Sequence, residues 1–341
     1  MAETSTNFPT VINNHLDSID INADGHLVLG SSSLTGRYWF GALWFYRDPS
    51  HAPDENSCSA AVETCSGVCD VKWLTNRRVI SALDSGEVQI WDLSEDLTRF
   101  QQVAAVQEHD NIVASVSIAA DKNKAVSGSH DHSIKVWDLQ ELSRATTYNL
   151  QELNSIATYK AHWGAVSCVA CHPTNTAVFL SVSQDGRTLL WDIRKPKPAR
   201  QLGNESGHIP MTVTWHPEDE FSLVVGTEGG SISLHDTRMN IQQPQIHHVH
   251  SRSVHRLQYS KSNPGWLASC SEDCTVAVSQ VSTDEIELMM RDTQHTDFVQ
   301  GLCWDQTGRK LYSSGWDMQV YCHQVQAGLV NGHESVPPME T

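Results

Sequence analysis

Eighteen histidines and nine cysteines stand out in a chain of 341 residues, because their spacing suggests several chemistries. The run CVACH, from Cys168 to His172, matches the spacing of a haem c attachment site. The run HHVH places His247, His248 and His250 within four positions, which suits a metal ion. Histidines, serines and aspartates also recur together, as in a hydrolase triad. Which of these chemistries is possible depends on the elements that carry the residues.

An internal repeat determines those elements. Three segments end a strand in Trp-Asp, at residues 91, 137 and 191, and each follows a Ser-x-Asp turn or a near relative by six or seven residues. Three degenerate copies place His235, Ser279 and His323 at the tryptophan position. The six positions are separated by 46, 54, 44, 44 and 44 residues. One more copy ends near Trp44 and Phe45, so the chain carries seven repeats.

A period of about 44 residues with alternating short strands and a Trp-Asp ending resembles the WD-repeat family. The resemblance covers roughly residues 10 to 325 and implies an all-β fold, a seven-bladed WD-repeat β-propeller. We expect residues 1–9 to be flexible, residues 10–325 to form one propeller, and residues 326–341 to be a disordered tail. A strand near residues 10–14 is our candidate to close the ring at the last blade.

The resemblance also gives most of the histidines a structural role. In the family a His, an Asp and the strand Trp are bridged by a Ser or Thr inside the blade, which satisfies buried polar groups. His208 matches this pattern less well than the other histidines do. The residues assigned to these structural positions are His109, Asp131, Trp137, His162, Asp185, Trp191, Trp91, His250 and His295.

This assignment weakens the other chemistries. Nothing marks one His–Ser–Asp group as special, so we expect no catalytic residues and no enzyme. CVACH falls on a first strand, where residues three apart point to opposite faces and cannot share a haem. HHVH has no second ligand group near it in sequence, and chance clustering beside His250 explains it better. We expect no metal and no cofactor.

Composition limits the partners. There are 23 basic and 40 acidic residues, a net charge of −17, which repels a nucleic-acid backbone and attracts basic protein tails. No window approaches 18 apolar residues, so we expect no membrane span. An odd number of cysteines without a signal peptide favours reduced thiols. We therefore expect the protein in the cytoplasm and nucleus, with no direct nucleic-acid or membrane partner.

Function is expected where the repeat is broken. The 54-residue spacing adds ten residues before the outer strand of blade three, within residues 140–160. In blade one, Gly30 precedes Trp44 by fourteen residues, whereas Gly128 precedes Trp137 by nine. About five or six residues are therefore added between the second and third strands of blade one. That connection opens on the face where the structural His and Asp residues lie.

The added residues fall within TGRYWFGALWFYRD, residues 35 to 48. Trp44 and Phe45 lie in the strand and should be core. The neighbouring loop or its junction holds the predicted partner-binding residues, which are of the types that dominate binding hot spots. A loop tryptophan left in water would waste about 2–3 kcal/mol of burial, although it could also fold back on its own blade. The predicted site comprises Arg37, Tyr38, Trp39 and Phe40.

The stretch from LGSSSLTGRYWFGALWFYRDP onward, with the later Trp-Asp segments, is similar to the WD-repeat subunits of methylosomes. That resemblance implies a non-catalytic partner of the type II protein arginine methyltransferase, in a hetero-octamer of four copies of each subunit. It implies contact through Trp39 and Arg37. It further implies arginine-rich substrates, histones and Sm proteins, and a role in histone methylation and spliceosomal snRNP assembly.

A second resemblance leaves an alternative open. Asp192-x-Arg194 and, one blade later, Asp236-x-Arg238 resemble the doubled Asp-x-Arg box of WD-repeat substrate receptors in cullin-RING ubiquitin ligases. The simpler interpretation is that an arginine after Trp-Asp braces neighbouring blades.

Overall fold

A computed structural model describes residues 15–35, 38–140, 153–203, 207–239, 245–282 and 285–326. These residues form 27 strands and two short 3₁₀ helices, Pro49–His51 and Glu55–Ser57. Among the described residues, no helix has the length and apolar character that crossing a bilayer requires. The expectations for residues 1–9 and 10–14, and for nearly all of the tail 326–341, lie outside the described residues.

The strands form seven antiparallel sheets, each built from strands that follow one another in the chain. Blade one contains β1 (His15–Ile21), β2 (Leu27–Thr35), β3 (Tyr38–Tyr46) and β4 (Ala60–Thr64). Blade two contains β5 (Val68–Trp73), β6 (Arg78–Leu83), β7 (Glu87–Leu93) and β8 (Phe100–Gln107). Blade three contains β9 (Val113–Ile118), β10 (Lys124–Ser129), β11 (Ile134–Asp138) and β12 (Ser155–Tyr159).

The remaining blades continue the pattern. Blade four contains β13 (Val166–Cys171), β14 (Val178–Ser183), β15 (Thr188–Asp192) and β16 (Arg200–Leu202). Blade five contains β17 (Pro210–Trp215), β18 (Ser222–Thr227), β19 (Ser231–Asp236) and β20 (Gln245–His248). Blade six contains β21 (Val254–Tyr259), β22 (Trp266–Ser271), β23 (Val276–Val281) and β24 (Ile286–Asp292). Blade seven contains β25 (Val299–Trp304), β26 (Lys310–Gly315) and β27 (Val320–Gln324).

The first strands of the blades line the centre of a closed ring. Each contacts the first strand of the next blade, and β1 contacts β25, so blade one meets blade seven. Between blades the side chains form separate apolar clusters, each shared by two neighbouring sheets. Both faces of a blade are therefore buried, which explains why the strands are short apolar runs without strict alternation. The seven-bladed WD-repeat β-propeller expected from the repeat is confirmed.

A hydrogen-bonded chain inside blades three and four matches the predicted structural positions. In blade three the His109 Nδ1 lies 2.9 Å from the Asp131 carboxylate, and its Nε2 lies 2.8 Å from the Ser127 hydroxyl. The Trp137 Nε1–H donates to the same hydroxyl at 2.9 Å. With the His109 Nδ1–H donating to Asp131, the Ser127 hydroxyl donates to Nε2 and accepts from the indole, so every group is satisfied.

Blade four repeats this chain with His162, Asp185, Ser181 and Trp191 at 2.7 to 3.0 Å. In both blades the assigned His, Asp and Trp side chains thus belong to one hydrogen-bonded group inside the blade. This hydrogen-bonded chain of side chains joins the connection between blades to the second and third strands of the sheet. It thereby fixes how the loops on this end of the ring are placed. We call this end the histidine face; it carries His109, His162, His250 and His295.

Blades six and seven keep part of the chain. His250 lies 2.7 Å from the Ser269 hydroxyl and 3.3 Å from Asp273. His295 lies 2.8 Å from the Ser313 hydroxyl and 2.9 Å from Asp317. In blade seven His323 replaces the tryptophan and approaches Ser313 at 2.7 Å.

In blade six the Trp position is taken by a serine without a role in the chain. This residue is Ser279, whose buried hydroxyl has no hydrogen-bond partner among the described residues.

Among the described residues, blades two and five lack the His–Ser–Trp hydrogen bonds. The Trp91 Nε1–H donates to Gln89 in its own strand at 3.0 Å, so Trp91 is buried but not bridged to a histidine. In blade five Gly229 stands where blades three, four, six and seven have aspartate, and His208 is exposed. A Cβ at Gly229 would lie 2.8 Å from the His208 ring, so the imidazole packs over the turn and not inside the blade. The weaker assignment of His208 is therefore wrong.

The centre of the ring is braced by an ion pair between blades that are not neighbours. The Arg256 guanidinium from β21 lies 3.0 Å from the Asp70 carboxylate of β5. Asp70 is fully buried, and its carboxylate also accepts the backbone N–H of Val116 from β9 at 2.9 Å. Three blades are thus linked across the axis, a contact that the repeat did not predict.

The bridging serine supports a first prediction. Ser181→Ala would leave His162 Nε2 and Trp191 Nε1 buried without partners, and we expect it to lower the free energy of unfolding by about 3 kcal/mol. Ser279→Ala is the matched control, because it removes only an unpaired buried hydroxyl and should be neutral or slightly stabilising. Urea unfolding measures both. Equal effects of the two substitutions would show that the His–Ser–Trp hydrogen bonds do not stabilise the blade.

Acid is also expected to destabilise the propeller. Burial lowers the pKa of His235 from 6.5 to about 4, and it lowers the pKa of His109, His162 and His295. Below pH 6.5 the unfolded chain therefore binds protons that the folded chain does not, so stability present above pH 6.5 is lost as the pH falls. His235 alone contributes a loss of about 2 kcal/mol between pH 7 and pH 5. A urea midpoint that stays constant between these pH values would contradict this.

Candidate partner-binding site on blade one

The hairpin between β2 and β3 is the largest departure from the repeat. In blades two to seven the residue at the Trp position pairs with a residue twelve positions earlier, as Trp137 does with Ala125. Gly30 and Gly128 are equivalent, because each packs against the first valine of the next blade. Leu27 therefore corresponds to Ala125, and its partner is Tyr46, nineteen positions later.

The insertion is thus seven residues, and Tyr46 occupies the Trp position of blade one. The sequence analysis aligned Trp44 with Trp137 and estimated an insertion of five or six residues. The strand pairing shows that both were wrong. Trp44 and Phe45 are nevertheless fully buried, as expected for core residues. The Trp44 indole donates to Ser31 at 3.3 Å, so a serine again satisfies an indole inside the blade.

The inserted residues lengthen the two strands and do not form an open loop. The ladder continues through Ser33 with Phe40 and Leu34 with Trp39 to Thr35 with Tyr38. In the other blades the same hairpin has already turned, at residues 86, 132, 186, 230, 274 and 318, all with positive φ. We call residues 31–35 and 38–42 the blade-one extension. It extends beyond the usual turn position on the histidine face.

The base of the blade-one extension is held against the connection between blades one and two. A Cβ at Gly41 would lie 2.3 Å from the Ser66 carbonyl oxygen and 2.9 Å from the Gly67 Cα. The Thr64 hydroxyl donates to the same Ser66 carbonyl at 2.7 Å, which shapes this connection. Only glycine lets the extension pass so close to backbone.

A second support comes from blade seven. The Ser32 hydroxyl donates to the Asp17 carboxylate of β1, and the Trp316 Nε1–H donates to the same carboxylate at 2.9 Å. The Trp316 ring also stacks on His15, with ring centroids 4.5 Å apart. Burial raises the pKa of Asp17 although both hydrogen bonds oppose this. The extension is therefore tied to the junction where the ring closes.

The four predicted binding residues have different positions. Tyr38 and Trp39 lie in β3, although their side chains lie outside what the structure describes, as does the whole of Arg37. Phe40 has a described side chain and is 45% exposed, while its neighbours Ala42 and Leu43 are buried. The extension therefore changes from core to surface within three residues, at the point where the predicted site begins.

The other sequence motifs lie in ordinary positions. Cys168 and Cys171 lie in β13 opposite Val182 and Phe179, which confirms that CVACH is part of a first strand. His247 and His248 lie in the outer strand β20. Within the described ranges, no group of three His, Cys, Asp or Glu side chains is arranged to hold a metal ion.

The two Asp-x-Arg arginines pair with their own aspartates. Arg194 lies 2.7 Å from Asp192, and Arg238 contacts Asp236 and lies over the Phe221 ring of the same blade. Among the residues that the structure describes, neither arginine contacts a neighbouring blade, unlike the bracing that the simpler interpretation proposed. Arg200 does so, because its guanidinium donates to carbonyl oxygens of the next blade.

The ring, the blade order and the buried His–Ser–Trp chains define a WD-repeat β-propeller. In agreement with this class, the family described as WD domain, G-beta repeat matches residues 100–138, 153–192, 242–278 and 287–324. Protein valois of Drosophila melanogaster is 22% identical over 325 residues, 91% of this chain and 86% of the relative. Protein transport protein Sec31A of Mus musculus is 21% identical over 262 residues, 74% of this chain but 20% of the relative.

A nearer relationship narrows the class. Methylosome protein WDR77 of Xenopus laevis is 39% identical over 322 residues, which cover 93% of this chain and 91% of the relative. The chain belongs to the family of WDR77-type methylosome WD-repeat proteins.

Gly41 provides a test of how the blade-one extension is held. Gly41→Ala would force the extension away from the Ser66 carbonyl, and we expect a loss of about 1–3 kcal/mol of stability. Thermal unfolding followed by circular dichroism measures the change. If the variant unfolds at the same temperature as the parent chain, the close packing at the base of the extension does not exist.

Proposed function

We propose that this protein is a non-catalytic adaptor that binds and activates a type II protein arginine methyltransferase through the blade-one extension. The observation that carries the proposal is this extension, seven residues longer than the equivalent hairpin of every other blade. The name of the Xenopus relative, Methylosome protein WDR77, describes that protein as part of a methylosome. Family membership extends the same role to this chain as a proposal.

The chemistry of the extension supports a docking role. Arg, Tyr, Trp and Phe occur consecutively at residues 37–40, and these types contribute most of the energy in protein interfaces. The base is fixed by the Gly41 contact and by the Ser32–Asp17 hydrogen bond, so the residues beyond it are presented on a rigid support. A rigid support lowers the entropy lost on binding.

A non-catalytic role agrees with the state of the candidate reactive groups. His109 and His162 have both ring nitrogens in hydrogen bonds and are almost fully buried. Their serine partners are occupied by indoles. These groups support the blades, and we propose that chemistry resides in the methyltransferase partner.

The net charge of −17 supports the second half of the proposal. We propose that the propeller recruits basic, arginine-rich proteins such as histones and Sm proteins for symmetric dimethylation. An acidic surface raises the local concentration of such proteins and speeds their encounter with the complex. This role places the complex in histone methylation and in snRNP assembly, in the nucleus and the cytoplasm. The assembly we propose is a hetero-octamer of four methyltransferase and four propeller chains.

Trp39→Ala tests the docking proposal. Loss of a hot-spot tryptophan is expected to weaken binding to the methyltransferase by roughly 30-fold or more, enough to abolish co-purification. Thermal stability should change little, because the proposal assigns this residue to the contact with the methyltransferase and not to the core. Trp163→Ala, which removes a tryptophan that is 81% exposed on blade four, is the matched control and should leave the complex intact.

Co-elution of the Trp39→Ala variant with the methyltransferase in one large complex would refute docking through the extension. Loss of the complex with Trp163→Ala alone would place the contact on blade four.

A further inference from the structure

Blade five opens a groove on the histidine face. Because Gly229 replaces the usual aspartate and His208 lies outside the blade, the space above the turn is not filled by a buried His–Asp pair. A groove with a volume of about 560 Å³ spans blades four to six at this place, a size typical of ligand sites. We call it the blade-five groove. Its lining includes Gln184, His208, Glu228, Ser253, Arg252 and Glu272.

The charged groups of the groove favour a cation. Glu228 is exposed and accepts the backbone N–H of Ile209 at 3.2 Å. No basic side chain of the described residues lies within ion-pair distance of Glu228. Glu272 shares its charge between Arg252 at 3.4 Å and His255 at 3.2 Å. The Glu228 carboxylate is therefore the charge that a ligand could neutralise.

Two further observations indicate a peptide rather than an ion. At the bottom of the groove the Ser253 hydroxyl is buried and has no hydrogen-bond partner among the described residues. Next to the blade-four turn that carries Gln184, the Trp163 side chain is exposed to 81%. Such a solvated tryptophan offers a large apolar surface to a partner.

The Trp163 side chain is also held in place. The Trp163 backbone N–H donates to Asp185 at 3.0 Å, and the Arg187 guanidinium lies 4.1 Å from the Trp163 ring centroid. Arg187 is itself paired with Asp185 at 3.2 Å. One face of the indole is therefore covered and held in place, and the other is available for a peptide side chain.

We propose that the blade-five groove binds an arginine-rich peptide segment, with one guanidinium on Glu228 and the backbone or a neighbouring side chain on Trp163. A guanidinium suits this site because it pairs with a carboxylate through two N–H groups and stacks on an indole. This inference deepens the proposed recruitment of basic substrates. It lies on blades four to six, away from the methyltransferase contact proposed on blade one.

The test uses the full chain alone and a fluorescein-labelled peptide of alternating arginine and glycine, followed by fluorescence anisotropy. Glu228→Gln is expected to weaken binding roughly tenfold, because a charge-assisted hydrogen bond is lost. Trp163→Ala is expected to weaken it by a similar factor. Glu287→Gln, the same charge change on the exposed outer strand β24, is the matched control and should leave the affinity unchanged.

Three outcomes would overturn the inference. Equal weakening by Glu228→Gln and Glu287→Gln would show that net charge alone attracts the peptide. Equal binding of a peptide with glutamine in place of arginine would show that no guanidinium is recognised. Binding of single-stranded nucleic acid in preference to the peptide would show a site for anions.

The two proposals fail separately. With both correct, Trp39→Ala loses the methyltransferase and keeps the peptide, whereas Glu228→Gln keeps the methyltransferase and binds the peptide more weakly. If Glu228→Gln binds the peptide as tightly as the parent chain while Trp39→Ala still loses the methyltransferase, only the groove proposal is refuted. Peptide binding by the parent chain without any methyltransferase complex, or a Trp39→Ala variant that keeps the complex, refutes only the docking proposal. Circular dichroism melts confirm that each variant is folded.

Discussion

The propeller depends on a serine hydroxyl in the middle of the second strand. In blades three and four this hydroxyl donates to a histidine that enters from the connection between blades, and it accepts from an indole of the third strand. Three separate chain segments are thereby fixed to one atom inside an apolar sheet. Because an unpaired group there would cost about 1–3 kcal/mol, the placement of the connections is strongly specified. These hydrogen bonds therefore determine where the connections lie on the histidine face.

The two proposed binding regions arise where the constraint is absent. In blade one the serine position of the second strand is Leu29 and the third-strand position is Tyr46, so no histidine chain limits the hairpin. The strands continue for seven more residues. In blade five Gly229 removes the aspartate, and His208 lies on the surface beside a groove. Both regions lie on the same face but on different blades, which allows one ring to contact two partners.

Much of this could be predicted from the sequence. The repeat spacing predicted seven blades, because each blade needs the same number of residues to cross the sheet. The His, Asp and Trp positions of blades three and four followed from the same register. The register of blade one did not, because its hairpin contains two aromatic runs, and only the packing of Gly30 on Val68 distinguishes Trp44 from Tyr46.

Contacts across the ring axis were also beyond sequence analysis. Asp70 and Arg256 are 186 positions apart and belong to blades that are not neighbours. Nothing in either strand indicates that its side chain reaches the other. The groove was missed for a similar reason, since it depends on where His208 lies once the aspartate is absent. The one available signal was Gly229 at the aspartate position of the repeat.

The central claim is that the blade-one extension contacts the methyltransferase. Hydrogen–deuterium exchange of the propeller, alone and in the complex, tests it most directly. The account predicts slower exchange in peptides that cover residues 31–42 when the methyltransferase is bound, with blades four to six unchanged. Protection confined to other blades, with residues 31–42 exchanging as in the free protein, would contradict it.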